Sequence, residues 1–146
     1  MTDDDRAALK AQLTSHEARR ADVYDDATGK RITKGSFVAG HPTWGIGFNL
    51  DAMPICDAAI DAQYEHVLSA ILAELTAALP WAVSLPSGPL RAILDVAWNT
   101  GIDGLLEFHK MLGFAQQGNF GAASLELIQS QLEPHRAARL AVLMRS

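Results

Sequence analysis

Residues 23–47 read VYDDATGKRITKGSFVAGHPTWGIG. Five of the eleven glycines fall within the last nineteen of these positions, and Pro42 lies among them. Glycine lets the backbone reverse tightly, but it weakens a long strand. The stretch therefore predicts a small antiparallel sheet, with β-prone pieces at 31–33, 36–38 and 43–46.

The residues before this stretch predict one helix, from about residue 4 to residue 20. Asp3–Asp5 supply the acidic first turn that the helix dipole favours, and apolar Leu9 and Leu13 follow. Arg20 suits the last turn, where a cation is stabilised by the same dipole.

The residues after position 56 are rich in alanine and leucine, and their apolar positions recur at helical spacing. An amphipathic helix is predicted after Asp57, which serves as its N-cap. Further helices are predicted through 90–98, at 105–115, after Gly118-Asn119 and after Glu133-Pro134, with a break at Asn99-Thr100-Gly101. The expected fold class is α+β, mainly helical with a small N-terminal antiparallel sheet. We expect a single domain of residues 1–146, divided into 1–56 and 57–146.

Composition narrows the possible functions. The chain has 146 residues and a mass of 15.7 kDa, with 49% hydrophobic and 20% charged residues, as expected of one folded domain. Its net charge of −5 argues against broad nucleic-acid binding, which needs a basic face. Cys56 is the single cysteine, so an internal disulfide and a zinc thiolate cluster are excluded. The first residues lack the pattern of a signal peptide, and no run is long and apolar enough to span a membrane, so we expect synthesis in the cytoplasm and no membrane insertion.

Familiar metal and nucleotide motifs fail on their spacing. His16-Glu17 begins like a zinc-protease motif, but Arg20 stands where the second histidine is required. Gly45-Ile46-Gly47 lacks the third glycine of a dinucleotide fingerprint. We therefore expect no metal and no cofactor.

Two carboxylates and a threonine remain as a candidate catalytic group. Glu17 lies late in the predicted helix, Asp26 follows nine residues later, and Thr43 lies in the glycine-rich sheet. Cleavage of a glycosidic bond uses such a carboxyl pair, one protonated and one ionised. Any acidic chain offers carboxylate pairs, so spacing alone leaves open that Glu17 is a solvated surface charge.

The same residues carry a resemblance to a known family. The stretches that carry it are Leu13–Arg20, Val23–Gly29 and Pro42–Gly47. They resemble the phage-type lysozymes, the muramidases known as endolysins, whose N-terminal pattern is a helix with a catalytic glutamate, a Tyr-x-Asp turn and a Thr-x-Gly-x-Gly strand. Less specific similarity to the C-terminal helices of that family extends over Ala97–Gly101, Phe108, Lys110–Leu112, Gly118–Ala123 and Arg136–Arg139. The resemblance implies a lysozyme-like fold with a substrate cleft between two lobes.

The resemblance also implies a reaction and roles. Glu17 would be the general acid, Asp26 would hold the attacking water, and Thr43 would hydrogen-bond that water. The implied reaction is hydrolysis of the β-1,4 bond between N-acetylmuramic acid and N-acetylglucosamine with inversion, which needs carboxyl groups about 6.5–9.5 Å apart. The implied partner is the peptidoglycan glycan strand, bound by a monomer. The enzyme would act on the cell wall after membrane permeabilisation or delivery by a virion.

Glycan binding is assigned to Asn49, Trp98 and Phe108, because sugars present both hydroxyls and apolar C–H faces. Trp98 and Phe108 also lie in apolar periodic runs, so packing in the core is the alternative role for both. A lytic transglycosylase and a non-catalytic peptidoglycan-binding module are the alternative functions.

Several positions depart from the family pattern. Thirteen residues, Lys30–Pro42, separate Gly29 from Thr43, which is a longer stretch than compact relatives have. This insertion contains three cations, so contact with an anionic wall polymer and a plain solvated loop are both open. Asp25 competes with Asp26 as the functional carboxylate, although the offset from Glu17 favours Asp26. His41 is either a catalytic base or a turn histidine bonded to the backbone.

Overall fold

The structure is a computed structural model that describes residues 1–17 and 19–146, with residue 17 described through its backbone only. Within these residues it contains six α-helices, one short 3₁₀ helix and one three-stranded antiparallel sheet. The predicted fold class is therefore confirmed at the level of an α+β chain that is mainly helical. The chain forms two compact units, Met1–Ile60 and Asp61–Ser146. The structure has no described helix that is long and apolar enough to cross a membrane.

Helix α1 (Asp3–Glu17) opens the first unit. Its start is fixed by a reciprocal pair of hydrogen bonds, since Thr2 N donates to Asp5 Oδ2 at 2.9 Å and Asp5 N donates to Thr2 Oγ1 at 3.2 Å. The prediction that this helix continues to residue 20 is wrong at its C-terminal end. Arg20 belongs to a strand, because the backbone from this residue onward pairs with a strand that lies about twenty residues later.

The sheet consists of β1 (Arg20–Asp25), β2 (Pro42–Gly45) and β3 (Phe48–Asn49), in the order β1-β2-β3. All pairs are antiparallel, with Tyr24 opposite Thr43 and Thr43 opposite Asn49. A tight turn joins β2 to β3, and Gly47 in this turn has a φ of 82°, which glycine adopts without strain.

The prediction of strands at 31–33 and 36–38 is wrong. Arg31 forms only an isolated bridge with Tyr24, and residues 36–38 form no strand. The partner of β2 is β1, whose β-prone Val23 and Tyr24 precede the glycines. Residues 27–41 therefore form a long connection between two paired strands, called the 27–41 loop below.

The boundary between the two units falls within helix α2 (Asp57–Ala78). The second unit continues with the 3₁₀ helix Ala82–Ser84, α3 (Ser87–Leu106), α4 (His109–Gln116), α5 (Phe120–Ile128) and α6 (Pro134–Met144). Their apolar faces meet in one core, whose largest fully buried side chains include Leu75, Ile93, Val96, Leu105, Met111, Leu127 and Met144. This packing follows the apolar periodicity of the sequence.

Two predicted helix starts are confirmed by their caps. The Asn119 side chain accepts a hydrogen bond from Ala122 N at 3.1 Å and so begins α5. Glu133 accepts two backbone N–H bonds at 2.9 Å and begins α6, with Pro134 in its first turn. The predicted break at residues 99–101 is a kink, because Gly101 has a φ of 74° but α3 continues to Leu106. Because α3 includes residues 105 and 106, the prediction that the next helix begins at residue 105 is wrong, and α4 begins at His109.

Candidate active site

Asp25 holds the two ends of the 27–41 loop together through hydrogen bonds to its carboxylate. Its side chain is only 3% exposed, and its carboxylate accepts four hydrogen bonds. Oδ1 accepts from the backbone N–H groups of Ala27 and Gly40, at 3.1 and 2.9 Å, and Oδ2 accepts from Thr28 Oγ1 and Ala39 N, at 2.9 and 3.0 Å. The N–H of Ala39, followed by the other donors, lowers the pKa of Asp25 below its usual 3.8 despite the opposing effect of burial. Asp25 is thus an ionised group that ties the start of the loop to its end.

Asp26 is exposed and lies against His41. The backbone N–H of Asp26 donates to His41 O at 3.1 Å, and Asp26 Oδ1 accepts from His41 N at 2.7 Å. Among the described residues Oδ2 of Asp26 accepts no hydrogen bond, so one oxygen of an exposed carboxylate remains for a water or a ligand.

Thr43, in β2, also bonds the backbone carbonyl of His41. Its side chain is 3% exposed, and Oγ1 donates to His41 O at 3.2 Å. Two of the predicted catalytic residues, Asp26 and Thr43, are therefore brought together by one residue that both of them bind. The hydroxyl hydrogen of Thr43 is committed to His41 O, so only its oxygen lone pairs remain for another partner.

Gly40 allows this close approach of the loop end to the Asp26 turn. A Cβ at position 40 would lie 2.8 Å from the Cβ and 2.9 Å from the backbone N of Ala27, and it would overlap Asp26 Oδ1. Contacts this short require the neighbouring atoms to shift. A glycine is therefore required here by space.

The sequence left two questions open: whether Asp25 or Asp26 is the functional carboxylate, and which role His41 has. Both oxygens of Asp25 accept two hydrogen bonds each, whereas among the described residues one oxygen of Asp26 accepts none, so Asp26 is the carboxylate of the two that can still bind a water or a ligand. The backbone N and O of His41 bond Asp26 and Thr43, and its ring Nδ1 lies 2.8 Å from the Asp51 carboxylate, so the ring is held by a side chain and not by the backbone as the turn alternative expects. Sequence reasoning missed Asp51, whose ten-residue distance from His41 gives no local signal.

The Asp51 carboxylate raises the pKa of His41 above its usual 6.5, and the charges of Asp26 and Asp25 act in the same direction. Because the folded pKa is raised, the pair stabilises the fold fully below about pH 6.5, and this stabilisation is lost as the pH rises through the folded pKa. We expect the His41 ring in the native chain to titrate at a higher pH than in the Asp51→Asn variant. A pH series of NMR spectra of the ring measures both, and equal titration curves would contradict the pairing.

Asn49, the first predicted glycan ligand, lies in β3 directly opposite Thr43. Its side-chain oxygen accepts from Asp51 N at 2.9 Å, which shapes the turn after the strand. Within the part of the chain that the structure describes, the amide N–H groups of Asn49 donate no hydrogen bond, so they remain for a ligand. Asp26, Thr43 and Asn49 thus belong to one small region of the first unit.

The other two predicted glycan ligands belong to the second unit. Trp98 is 45% exposed and packs against Tyr64, which is 48% exposed, with ring centroids 5.5 Å apart and ring planes tilted by 39°. Trp98 is therefore not a core residue. Phe108 is half-buried: it packs against the core and also lines a groove of about 490 Å³ whose walls are residues 107–111, 126 and 129–131.

The prediction of Glu17 as the general acid falls on a side chain outside the described residues. Among the described ones, no group of three or more His, Cys, Asp and Glu side chains is arranged to hold a metal ion. Comparison with protein-family models gave no match, and comparison with curated proteins gave none either. A functional proposal for this chain therefore depends on its own residues and their geometry.

Proposed function

We propose that this chain has a lysozyme-like fold and hydrolyses the β-1,4 bond between N-acetylmuramic acid and N-acetylglucosamine in peptidoglycan, with inversion. The observation that supports this most is the arrangement at His41, where an exposed Asp26 carboxylate and the Thr43 hydroxyl are bonded to one backbone residue. Such a pair matches what a water-activating site requires: a fixed carboxylate and a second group that orients the water.

In the proposed mechanism, the attacking water is oriented by two hydrogen bonds. It donates one hydrogen to the free oxygen of Asp26 and the other to Thr43 Oγ1, whose own hydrogen is committed to His41 O. With both hydrogens engaged, the lone pair of the water points toward the anomeric carbon. As the new C–O bond forms, Asp26 takes the water proton and Glu17 gives a proton to the leaving oxygen, whose bond to carbon breaks.

The proposed substrate also carries groups that other side chains of this chain can bind. In the first unit, the amide of Asn49 suits the hydroxyl and acetamido groups of a sugar. In the second unit, taken by itself, the half-exposed Trp98 beside Tyr64 and the Phe108 groove suit the apolar C–H faces of a sugar ring. The proposed partner is the glycan strand, bound by a monomer without cofactor or metal. This substrate lies outside the cytoplasmic membrane, so the proposed site of action is the cell wall.

The products distinguish this proposal from its rivals. We expect the purified chain to release muropeptides with new reducing N-acetylmuramic acid ends from purified peptidoglycan, and mass spectrometry should show one water added per bond cleaved. Anhydro products, lighter by one water, would assign the chain as a lytic transglycosylase. Binding to peptidoglycan without release of reducing ends would assign it as a non-catalytic wall-binding module. Either result would overturn the proposal.

A further inference from the structure

The 27–41 loop is basic although the chain is acidic. It contains Lys30, Arg31 and Lys34 and no acidic residue, in a chain whose net charge is −5. All three cations are exposed. Arg31 lies near the carboxylate of Asp22, which forms an ion pair with Arg20 at 2.7 Å. Among the described residues, Lys30 and Lys34 form no ion pair. The loop therefore presents a local positive charge to solvent.

The same loop presents an aromatic ring. Phe37 is 88% exposed, the highest value among the exposed large hydrophobic residues. Burial of an exposed ring against an apolar partner is favourable. Phe37 thus offers an apolar contact within three residues of Lys34.

The loop has a defined conformation. A turn at its tip is closed by Ser36 N donating to Thr33 O at 3.0 Å and by Thr33 N donating to Ser36 Oγ at 2.9 Å, with Gly35 at a φ of 82°. At its base, Ile32 N donates to Val23 O at 2.9 Å, and the carboxylate of Asp25 accepts from Ala39 and Gly40. Little conformational entropy is therefore lost when this loop meets a partner.

We propose that the 27–41 loop docks on an anionic phospholipid surface. Phe37 enters the boundary between headgroups and acyl chains, and Lys30, Arg31 and Lys34 contact lipid phosphates. A bilayer supplies phosphates and an apolar layer together, whereas an anionic wall polymer satisfies the cations but leaves Phe37 in water. Repulsion from the acidic residues of the rest of the chain is screened beyond about 8 Å at physiological salt. This binding is peripheral and does not depend on the proposed hydrolysis.

Vesicle cosedimentation tests the proposal with the full chain. We expect binding to vesicles of phosphatidylcholine mixed with phosphatidylglycerol, weaker binding at high salt, and little binding to phosphatidylcholine alone. Phe37→Ser should lower binding about tenfold, and Lys34→Gln should lower it about fivefold. The matched controls are Val142→Ser, which replaces another exposed apolar residue, and Lys10→Gln, which removes an exposed cation from α1. Both controls should bind like the native chain.

A second variant keeps the test independent of lost stability. Phe37→Trp should retain binding, and the fluorescence that it adds to that of the native tryptophans should shift to shorter wavelength with anionic vesicles. The proposal is overturned if the native chain does not bind these vesicles, if the Phe37 and Lys34 variants bind as the native chain does, or if Phe37→Ser weakens binding to purified wall glycan only. Because the vesicles contain no glycan, failure here leaves the proposed hydrolysis untouched.

Discussion

Asp26→Asn is expected to lower the rate of peptidoglycan hydrolysis about a thousandfold while leaving the fold intact. Asparagine keeps an oxygen that can accept the hydrogen bond from His41 N, so the loop end stays in place. It loses the negative charge and the ability to take a proton from the water. Release of reducing ends measures the rate, and circular dichroism with thermal unfolding measures the fold. Glu17→Gln should lose activity to a similar extent, because the leaving oxygen then receives no proton.

The controls for this prediction are two other carboxylates. Asp61→Asn, at an exposed position of α2, should hydrolyse at the native rate. Asp25→Asn should lose activity together with thermal stability, because an amide in that position turns one N–H donor toward another. Native activity in Asp26→Asn, or loss of activity in Asp25→Asn at native stability, would contradict the assignment of Asp26 as the reactive carboxylate.

Gly40→Ala is expected to lower activity about a hundredfold although this residue has no side chain to take part in the reaction. The added methyl group would overlap Asp26 Oδ1 and crowd Ala27, so either the loop end or the carboxylate has to move. A displacement of about 1 Å at a reacting group is enough for a loss of this size. Overpacking of this kind should also cost about 1–3 kcal/mol of unfolding free energy. Steady-state rates and denaturant unfolding of the same preparation measure both effects.

Gly113→Ala is the matched control for Gly40→Ala. Gly113 lies in α4 with nothing within 4 Å of an added Cβ, so alanine fits without displacing a neighbour. Alanine is the better helix former, and this variant should be as stable as the native chain or more stable by up to about 1 kcal/mol. Equal activity of the two glycine variants would show that the approach of Gly40 to Asp26 is not required.

Sequence reasoning succeeds where a helix start is decided locally. Asn119 and Glu133 cap backbone groups two or three positions ahead, so their residue types announce α5 and α6. The apolar spacing after Asp57 likewise predicts α2, because helical periodicity is a property of neighbouring positions.

The same reasoning fails where the partner is distant. β1 and β2 lie on either side of the 27–41 loop, and propensity within residues 31–38 favours strands that the pairing does not use. Strand formation depends on the available partner strand more than on the intrinsic preference of the residues. The end of α1 is wrong for this reason as well, since Arg20 is taken into the sheet.

The candidate site likewise combines a feature that local sequence can predict with one that depends on distant residues. The nine-residue offset from Glu17 favours Asp26 over Asp25 as the functional carboxylate. It does not explain why a second acidic residue, Asp25, directly precedes Asp26. The reason is tertiary: the donors to Asp25 include Ala39 and Gly40, fourteen and fifteen residues away. No local pattern predicts that one of two adjacent carboxylates is saturated with donors while the other is exposed.

The hydrogen bonds that Asp25 and Asp26 make with residues 39–41 have a consequence for how this chain can change. They join the two ends of the 27–41 loop independently of what lies between them. Loop closure free energy grows only slowly with length, so residues can be added or removed near the Lys34-Gly35 turn at small cost and without displacing Asp26. Surface specificity and chemistry can then diverge separately in descendants of this sequence, and the turn is a natural position for grafting a foreign peptide.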